Sequence, residues 1–170
     1  MTLCQLSCTK RLCQAAQSRK INLRKFMVPS SDVVLVVDGA VEHNLKLSFA
    51  DLAQFPRQSL RATDELGKES LFEGVLVAEI LKAAGVKFAK DLRGKRLADY
   101  LLAETADSYR VVFALPEFDP TFKDTLILLA DTRDGGPLGE SDGRLRLIIP
   151  SEKRYARWVR HLVALHVKHP

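Results

Sequence analysis

Cysteine is nearly absent from this chain of 170 residues. The three cysteines, Cys4, Cys8 and Cys13, all lie within the first thirteen residues, and none follows them. Three and then four residues separate them, a spacing that does not match the two close pairs of a structural zinc site. We therefore expect no disulfide framework, and we interpret the cysteines as free thiols on an N-terminal tail.

Long apolar runs are also missing. Even runs such as Val33–Val37 and Leu126–Ala130 have only the length of a strand and are too short to cross a bilayer. The basic residues near the N-terminus are not followed by the apolar segment of a secretory signal. The sequence thus predicts no transmembrane segment, and without a legible signal the default expectation is a cytoplasmic location.

Acidic residues are unevenly distributed. Residues 1–30 carry six Lys/Arg and no acid, residues 31–143 carry thirteen basic and twenty acidic groups, and residues 144–170 carry seven basic groups and one acid. An acidic body with basic ends argues against a nucleic-acid-binding face, which needs basic residues across the folded domain. The basic C-terminal end is either a local anion site or a solvated charged surface.

Motifs that would identify a common enzyme class are absent. The chain has no hydrolase nucleophile elbow, no phosphate-binding glycine loop and no dinucleotide fingerprint. His161 and His166 are five residues apart, so on a regular strand they would point to opposite faces and would not bind one metal. Asp64 and Glu65 fall in a predicted loop, either as solvated charges or as an acid–base pair.

The pattern of the remaining chain predicts an α+β fold, a mixed multi-layer β structure with two or three short helices. Residues 1–30 are interpreted as a basic tail and residues 31–170 as the domain. Asp38-Gly39 predicts a hairpin between Val33–Val37 and Val41–Leu47, and Ser48 with Asp51 predicts a capping box before a helix over 49–54. The other predicted elements are strands Gln58–Thr63, Leu97–Ala103, Tyr109–Ala114 and Leu126–Ala130, a turn or short helix at Pro116–Pro120, a turn at Asp134–Pro137, and a helix over Val77–Ala84 capped by Gly85.

Basic residues are concentrated in the C-terminal segment Asp142–Val167. Its pattern predicts an apolar strand Leu145–Ile149, a basic loop after Pro150, and a second strand that begins at Ala156-Arg157-Trp158-Val159. Ser151, Lys153, Arg154 and Arg157 have the chemistry that binds a phosphate ester, because lysine supplies a point charge and arginine a bidentate fork. Trp158 packs either in the core or on a ligand ring, and Tyr109 follows the turn Asp107-Ser108 as either a surface or a site residue.

Several segments, in this order and spacing, resemble the molybdopterin-binding oxidoreductase domain of the sulfite oxidase family. The resemblance covers roughly residues 33–168. The matching pieces are Gly39-Ala40-Val41, Leu47–Leu52 with Phe55-Pro56, Phe72–Val75, Ala84-Gly85-Val86, Asp107-Ser108-Tyr109, Leu128–Ala130, Asp134-Gly135 with Pro137-Leu138, Gly143–Leu147 with Pro150, and Arg157–Arg160.

The resemblance implies a mixed α+β domain that binds a phosphate-bearing pterin, the molybdopterin cofactor. It places the pterin anchor on Ser151, Lys153, Arg154 and Arg157, with Trp158, Tyr109 and Thr63 as further cofactor-binding candidates. Active members of the family, which is often exported in bacteria, also supply a cysteine thiolate to the metal after the strand that follows Phe-Pro. Here that strand reads Leu60-Arg61-Ala62-Thr63-Asp64 and has no cysteine, as in short single-domain members.

This departure leaves two hypotheses about function. One is a single-domain molybdopterin-binding protein of the oxidoreductase type. The other is a non-enzymatic module that keeps the fold and binds another anionic ligand or a protein partner. Oxygen or hydroxyl ligands from Thr63 or Asp64 are poor substitutes for a thiolate on such a metal, so the sequence predicts a cofactor site without a clear route to metal chemistry.

Overall fold

The computed structural model describes residues 33–170. Within this range the chain forms ten strands, two short α-helices and four 3₁₀ turns. In chain order they are β1 (Leu35–Gly39), β2 (Leu45–Leu47), α1 (Phe49–Leu52), β3 (Arg57–Thr63), β4 (Glu69–Leu76), α2 (Val77–Ala83), 3₁₀ turns at Ala89–Asp91 and Gly94–Ala98, β5 (Tyr100–Thr105), β6 (Arg110–Ala114), a 3₁₀ turn at Leu115–Phe118, β7 (Leu128–Arg133), β8 (Gly136–Pro137), β9 (Arg146–Ile148), a 3₁₀ turn at Tyr155–Arg157, and β10 (Leu162–Lys168).

The strands form two sheets of five strands each. The first sheet has the order β2-β1-β10-β5-β6, and the second has the order β3-β4-β7-β8, with β9 also paired to β7. Only β1 and β10 pair in parallel, and the other pairs are antiparallel. One cluster of buried apolar side chains takes members from both sheets, including Leu35, Leu101, Leu165, Phe72 and Leu128. The predicted α+β class is confirmed.

The first two strands pair as the sequence predicts, but the turn between them is longer and lies later in the chain. Asp38 and Gly39 belong to β1 and pair with β10, and the second strand is Leu45–Leu47 instead of Val41–Leu47. Leu35 pairs with Leu47 and Val37 with Leu45, which buries the alternate side chains of both strands.

The first helix begins as predicted. The Ser48 side chain accepts a hydrogen bond from the Asp51 N–H, and Asp51 in turn caps the Ser48 backbone. This capping box fixes the start of α1, but the helix ends at Leu52, earlier than predicted.

The second helix is also confirmed, but the segment before it is a strand. Val77, Ile80 and Leu81 of α2 are buried, and Gly85 follows with a φ of +88°, as expected for a helix C-terminus. Phe72–Val75, predicted only as a lead into the helix, belongs to β4. Gly74 explains this pairing, because a side chain there would collide with the Leu129 carbonyl oxygen of β7.

The predicted second strand at Ala156 is wrong, and the start of the strand at Leu97 is misplaced. Tyr155–Arg157 is a 3₁₀ turn, and the strand begins only at Leu162. Trp158 and Val159 are both buried, which an alternating strand on one face of a sheet does not allow. Similarly, 94–98 is a 3₁₀ turn and β5 begins at Tyr100. Among residues 33–170 no helix is long and apolar enough to cross a membrane.

Candidate functional site

A pocket of about 500 Å³ lies where four connecting segments meet, a volume within the usual range for small-molecule sites. The β3–β4 turn contributes Glu65, and the loop between β8 and β9 contributes Ser141. The end of β5 and the following turn contribute Thr105, Asp107 and Tyr109, and the segment before β10 contributes Tyr155, Trp158, Arg160 and His161. This site pocket therefore joins two segments that the sequence analysis singled out separately, the Asp107-Ser108-Tyr109 turn and the basic C-terminal loop.

The turn at Asp107 is held in place by its own side chains. Asp107 accepts hydrogen bonds from the Thr105 hydroxyl and from the Tyr109 N–H, and Ser108 adopts a left-handed φ of 66°. The Thr105 hydrogen bond, the Tyr109 N–H and, more weakly, the charge of His161 lower the pKa of the Asp107 carboxyl. The Tyr109 hydroxyl donates to the Ala156 carbonyl at 3.1 Å, so the turn and the C-terminal loop are tied together across the pocket.

Trp158 is a core residue that also borders the pocket. Its indole is 3% exposed and its Nε1 donates to the Ile149 carbonyl at 2.9 Å. The ring contacts Phe72 and Tyr155 edge to face, at centroid distances of 6.3 and 5.1 Å. Tyr155 and Trp158 thus give the pocket an aromatic wall whose orientation is set by packing.

Arg157 points toward protein carboxylates. Its guanidinium contacts Glu152 and both carboxylate oxygens of Glu117, the latter at 2.9 Å. The same group lies 4.4 Å from the centre of the Phe113 ring. Glu117 also accepts the Ala114 N–H, so Arg157 joins the C-terminal loop to the 3₁₀ turn at Leu115–Phe118.

The other predicted anchors are exposed. Ser151, Lys153 and Arg154 are at the surface, and within residues 33–170 they form no side-chain hydrogen bond or ion pair. Lys153 and Arg154 directly precede Tyr155, which borders the pocket. Thr63 is exposed at the end of β3, two residues before Glu65, and pairs across the sheet with Glu69.

Behind the pocket lies a group of charges that we call the ionic cluster, formed by Asp64, Glu65, Arg133, Asp142, Arg146 and Arg160. Arg146 contacts Asp142 at 2.6 Å and Glu65 at 3.2 Å. Arg133 contacts Asp64 at 2.6 Å and Asp142 at 3.6 Å. Arg160 contacts Glu65 and lies 3.7 Å from Asp142. The cluster links the β3–β4 turn, β7, β9 and the segment before β10.

Arg146 is the most deeply buried member of this cluster. Its side chain is 2% exposed, and its guanidinium lies 5.4 Å from the centre of the Trp158 ring. Burial lowers the pKa of the Arg146 guanidinium from its usual value, while the carboxylate of Asp142 acts in the opposite direction. Its Nε is a buried polar atom without a hydrogen-bond partner among the described residues.

Sequence reasoning missed Arg133, Arg146 and Arg160 as site residues. One signal was available, because Arg146 interrupts the apolar strand Leu145–Ile149 at a position whose neighbours are all buried. A buried arginine requires a carboxylate partner. Asp142, four residues earlier, was a local candidate, but Glu65 is 81 residues away in the sequence and could not be identified from it.

The described residues contain no group of three or more His, Cys, Asp or Glu that could hold a metal ion. His161 borders the pocket. His166 contacts Asp38 on β1, and His169 contacts Asp99; both partners are distant in the sequence. The three cysteines precede residue 33 and lie outside the described residues. The pocket lining therefore offers aromatic rings, one guanidinium and several oxygen groups, and no thiol.

The family model described as "Oxidoreductase molybdopterin binding domain" matches residues 25–169. The chain belongs to this family. The resemblance noted in the sequence is confirmed, and the domain is a molybdopterin-binding oxidoreductase domain of the sulfite oxidase type. Membership favours the molybdopterin-binding hypothesis over the module that binds another ligand or only a protein.

Among solved structures the chain is similar to the sulfane dehydrogenase SoxCD from Paracoccus pantotrophus, with a TM-score of 0.62 and 25% identity. The match covers 78% of this chain and only 37% of that one, so the present chain spans a little over a third of the relative. No curated protein matches the sequence.

Proposed function

We propose that the site pocket binds the pterin of a molybdopterin cofactor. The observation that supports this most directly is that the pocket is bordered by both the Asp107-Ser108-Tyr109 turn, which is one of the segments that resemble the family, and the basic C-terminal loop, where the resemblance places the pterin anchor. The aromatic edges of Tyr155 and Trp158 suit a flat heterocycle. The residues that line the pocket, and its volume of about 500 Å³, fit an aromatic anionic ligand.

The cations are arranged for the phosphate end of such a ligand. Arg160 borders the pocket, and the exposed Lys153 and Arg154 lie two residues and one residue before Tyr155 on the same loop. Together they supply a bidentate fork and two further cations to a phosphate ester. Arg157, which is held by Glu117 and Glu152, acts by fixing this loop.

Pterin binding and metal binding are distinct properties of the site. A molybdenum atom, when bound to the pterin, supplies oxygen-atom transfer chemistry in this family. The soft thiolate that the family uses as a protein ligand has no counterpart in the pocket lining, where the nearby β3–β4 turn provides Glu65 instead. We therefore propose pterin binding as the primary property and make metal content an outcome of the test.

The test is to purify the protein from a host that makes the cofactor, and to measure released pterin by fluorescence and molybdenum by elemental analysis. We expect stoichiometric pterin in the wild type and at least a tenfold loss in Arg160→Ala. Arg61→Ala is the matched control, because Arg61 is an exposed cation on β3 that does not line the pocket.

Absence of both pterin and molybdenum from the wild type would disprove the proposal. Pterin without stoichiometric molybdenum would indicate a binding protein, and pterin with molybdenum would indicate an oxidoreductase. Equal pterin content in Arg160→Ala and Arg61→Ala would mean that the phosphate is anchored elsewhere.

A further inference from the structure

The ionic cluster is electrically balanced only because Glu65 is part of it. Its three guanidinium groups belong to Arg133, Arg146 and Arg160, and its three carboxylates to Asp64, Asp142 and Glu65. Asp134 adjoins the cluster, 4.0 Å from Arg133 and 3.8 Å from Lys68, and because Asp134 and Lys68 carry opposite charges they leave this balance unchanged. Removing the charge of Glu65 would leave one net positive charge beside the pocket.

Of the three carboxylates in the cluster, Glu65 needs the least free energy to move away from the guanidiniums into water. Asp64 and Asp142 are 4% and 3% exposed, and Asp64 also accepts the N–H groups of Leu66 and Lys68. The Glu65 side chain is 32% exposed and borders the pocket. It contacts only the two guanidiniums within the described residues, so a small movement would return it to water.

The guanidinium of Arg146 is only partly used by Glu65. Nε and Nη2 lie on the same edge of a guanidinium and together form a fork for two oxygen atoms. Here Nη2 contacts Glu65 at 3.2 Å, while Nε has no hydrogen-bond partner within residues 33–170. An anion with several oxygens could bind both nitrogens of this fork and also the Arg160 guanidinium. The single Glu65 oxygen that contacts Arg146 binds only one nitrogen of the fork.

From these contacts we infer that Glu65 occupies an anion subsite formed by Arg146 and Arg160, and that a phosphate-type oxyanion displaces it on binding. This inference rests on the proposed function in one respect, namely that the phosphate of the pterin is the natural occupant. Glu65 then determines specificity, because a weakly bound free anion cannot displace it, whereas a ligand that also fills the aromatic pocket can.

The expected size of the effect follows from competition. A ligand that binds only the form in which Glu65 has left shows an apparent affinity reduced by the population of that form. If Glu65 has left the subsite in about a tenth of the molecules or fewer, neutralising Glu65 should tighten anion binding by about tenfold or more.

The experiment uses inorganic phosphate as the probe and needs no cofactor. Binding is measured by isothermal titration calorimetry on cofactor-free protein in chloride buffer, for the wild type and for Glu65→Gln. We expect at least about tenfold tighter phosphate binding in Glu65→Gln, and loss of that gain in the double variant Glu65→Gln/Arg160→Ala.

Glu69→Gln is the matched control, because it removes one exposed carboxylate near the same turn without touching a guanidinium of the cluster. Glu65→Ala should show the same gain in phosphate affinity as Glu65→Gln. If one of the two variants fails to fold, the other still tests the inference. Equal phosphate affinity in the wild type and in the folded Glu65 variant would overturn the inference, as would a gain of the same size in Glu69→Gln.

The two proposals fail in different ways. A gain in phosphate affinity in Glu65→Gln, together with no pterin in wild-type protein purified from a host that makes the cofactor, would support the anion subsite and reject the proposed cofactor. Pterin in the wild type with no gain in Glu65→Gln would support the cofactor and reject the displacement of Glu65.

Discussion

At the scale of single residues, buried charges distinguish this domain from an ordinary apolar core. Arg146 lies at the start of β9 between two buried leucine residues and is paired with acids from two other segments. A buried ion pair adds little to stability compared with apolar residues, but removing one partner leaves a buried charge uncompensated. Substitutions of the buried members of the ionic cluster, Asp64, Asp142 and Arg146, should therefore cost far more than substitutions of surface pairs.

We expect Arg146→Ala to lower the free energy of unfolding by about 3–5 kcal/mol, because Asp142 would keep a buried charge without its closest partner. Arg57→Ala is the comparison, since Arg57 pairs with Asp131 at 2.6 Å but is 38% exposed, and its loss should cost about 1 kcal/mol or less. Urea denaturation of both variants measures the difference. Similar costs for the two would show that the cluster is not effectively buried.

A second residue-scale prediction concerns Asp64 and pH. Burial acts to raise the pKa of Asp64, but the hydrogen bonds from Arg133 and from the N–H groups of Lys68 and Leu66 outweigh it, and the pKa lies below its usual value. A carboxyl whose pKa is lower in the folded state stabilises the protein above its unfolded pKa of about 3.9, and this contribution is lost as the pH falls through the folded pKa.

The stability difference between the wild type and Asp64→Asn should therefore be largest near neutral pH and shrink below about pH 4. Chemical denaturation at a series of pH values measures it. A difference that stays constant down to pH 2 would contradict the lowered pKa.

At the scale of elements, the loop between β9 and β10 is fixed by contacts to two other segments. Arg157 joins it to the 3₁₀ turn at Leu115–Phe118 through Glu117, and Ala156 accepts the Tyr109 hydroxyl. The order of this loop therefore depends on specific side chains, and Lys153 and Arg154 are presented from it.

Arg157→Ala should loosen this loop while leaving the two sheets intact. We expect a loss of about 1–2 kcal/mol, from the charged hydrogen bonds and the contact with Phe113, and faster trypsin cleavage after Lys153 and Arg154. Limited proteolysis with mass spectrometry locates the cuts. The control is Arg110→Ala, an exposed arginine that pairs with Glu104 on the neighbouring strand; equal cleavage rates in both variants would argue against the role of Arg157.

At the scale of the whole molecule, the last strand connects the domain. β10 lies between β1 and β5 at the centre of the first sheet, in parallel with the first described strand. Leu162, Leu165 and Val167 contribute buried side chains to the common core. Because the β10 segment follows the pocket residues directly, sheet formation and site formation are coupled.

Deletion of residues 162–170 should abolish cooperative folding, because it leaves β1 and β5 without their shared partner and exposes the core. Deletion of residues 169–170 alone should leave the fold intact, although His169 contacts Asp99. Circular dichroism with thermal unfolding compares the two. A cooperative transition in the longer deletion would show that the second sheet is stable alone.

Much of the fold could be predicted from local sequence. The pairing of the first two strands, the Ser48–Asp51 capping box and the amphipathic α2 with Gly85 depend on neighbours only a few residues away, and all three form. The predicted turn at Asp38-Gly39 is wrong, because both residues belong to β1. The segment from Ala156 could not be read in this way. Trp158 in this segment is fixed by its contacts with Ile149, Tyr155 and Phe72. A period-two hydrophobic pattern does not reveal these contacts.

The sequence by itself determined the family, the α+β class and the position of the basic C-terminal segment, because these depend on the order and spacing of short local motifs. Only the tertiary structure decided how each charge is used. Arg157 is bound by Glu117, Arg146 is buried between Asp142 and Glu65, and Arg160 borders the pocket. The reason is physical: an arginine is held by whichever carboxylate the fold brings within about 3 Å, and in this domain those carboxylates lie up to 81 residues away.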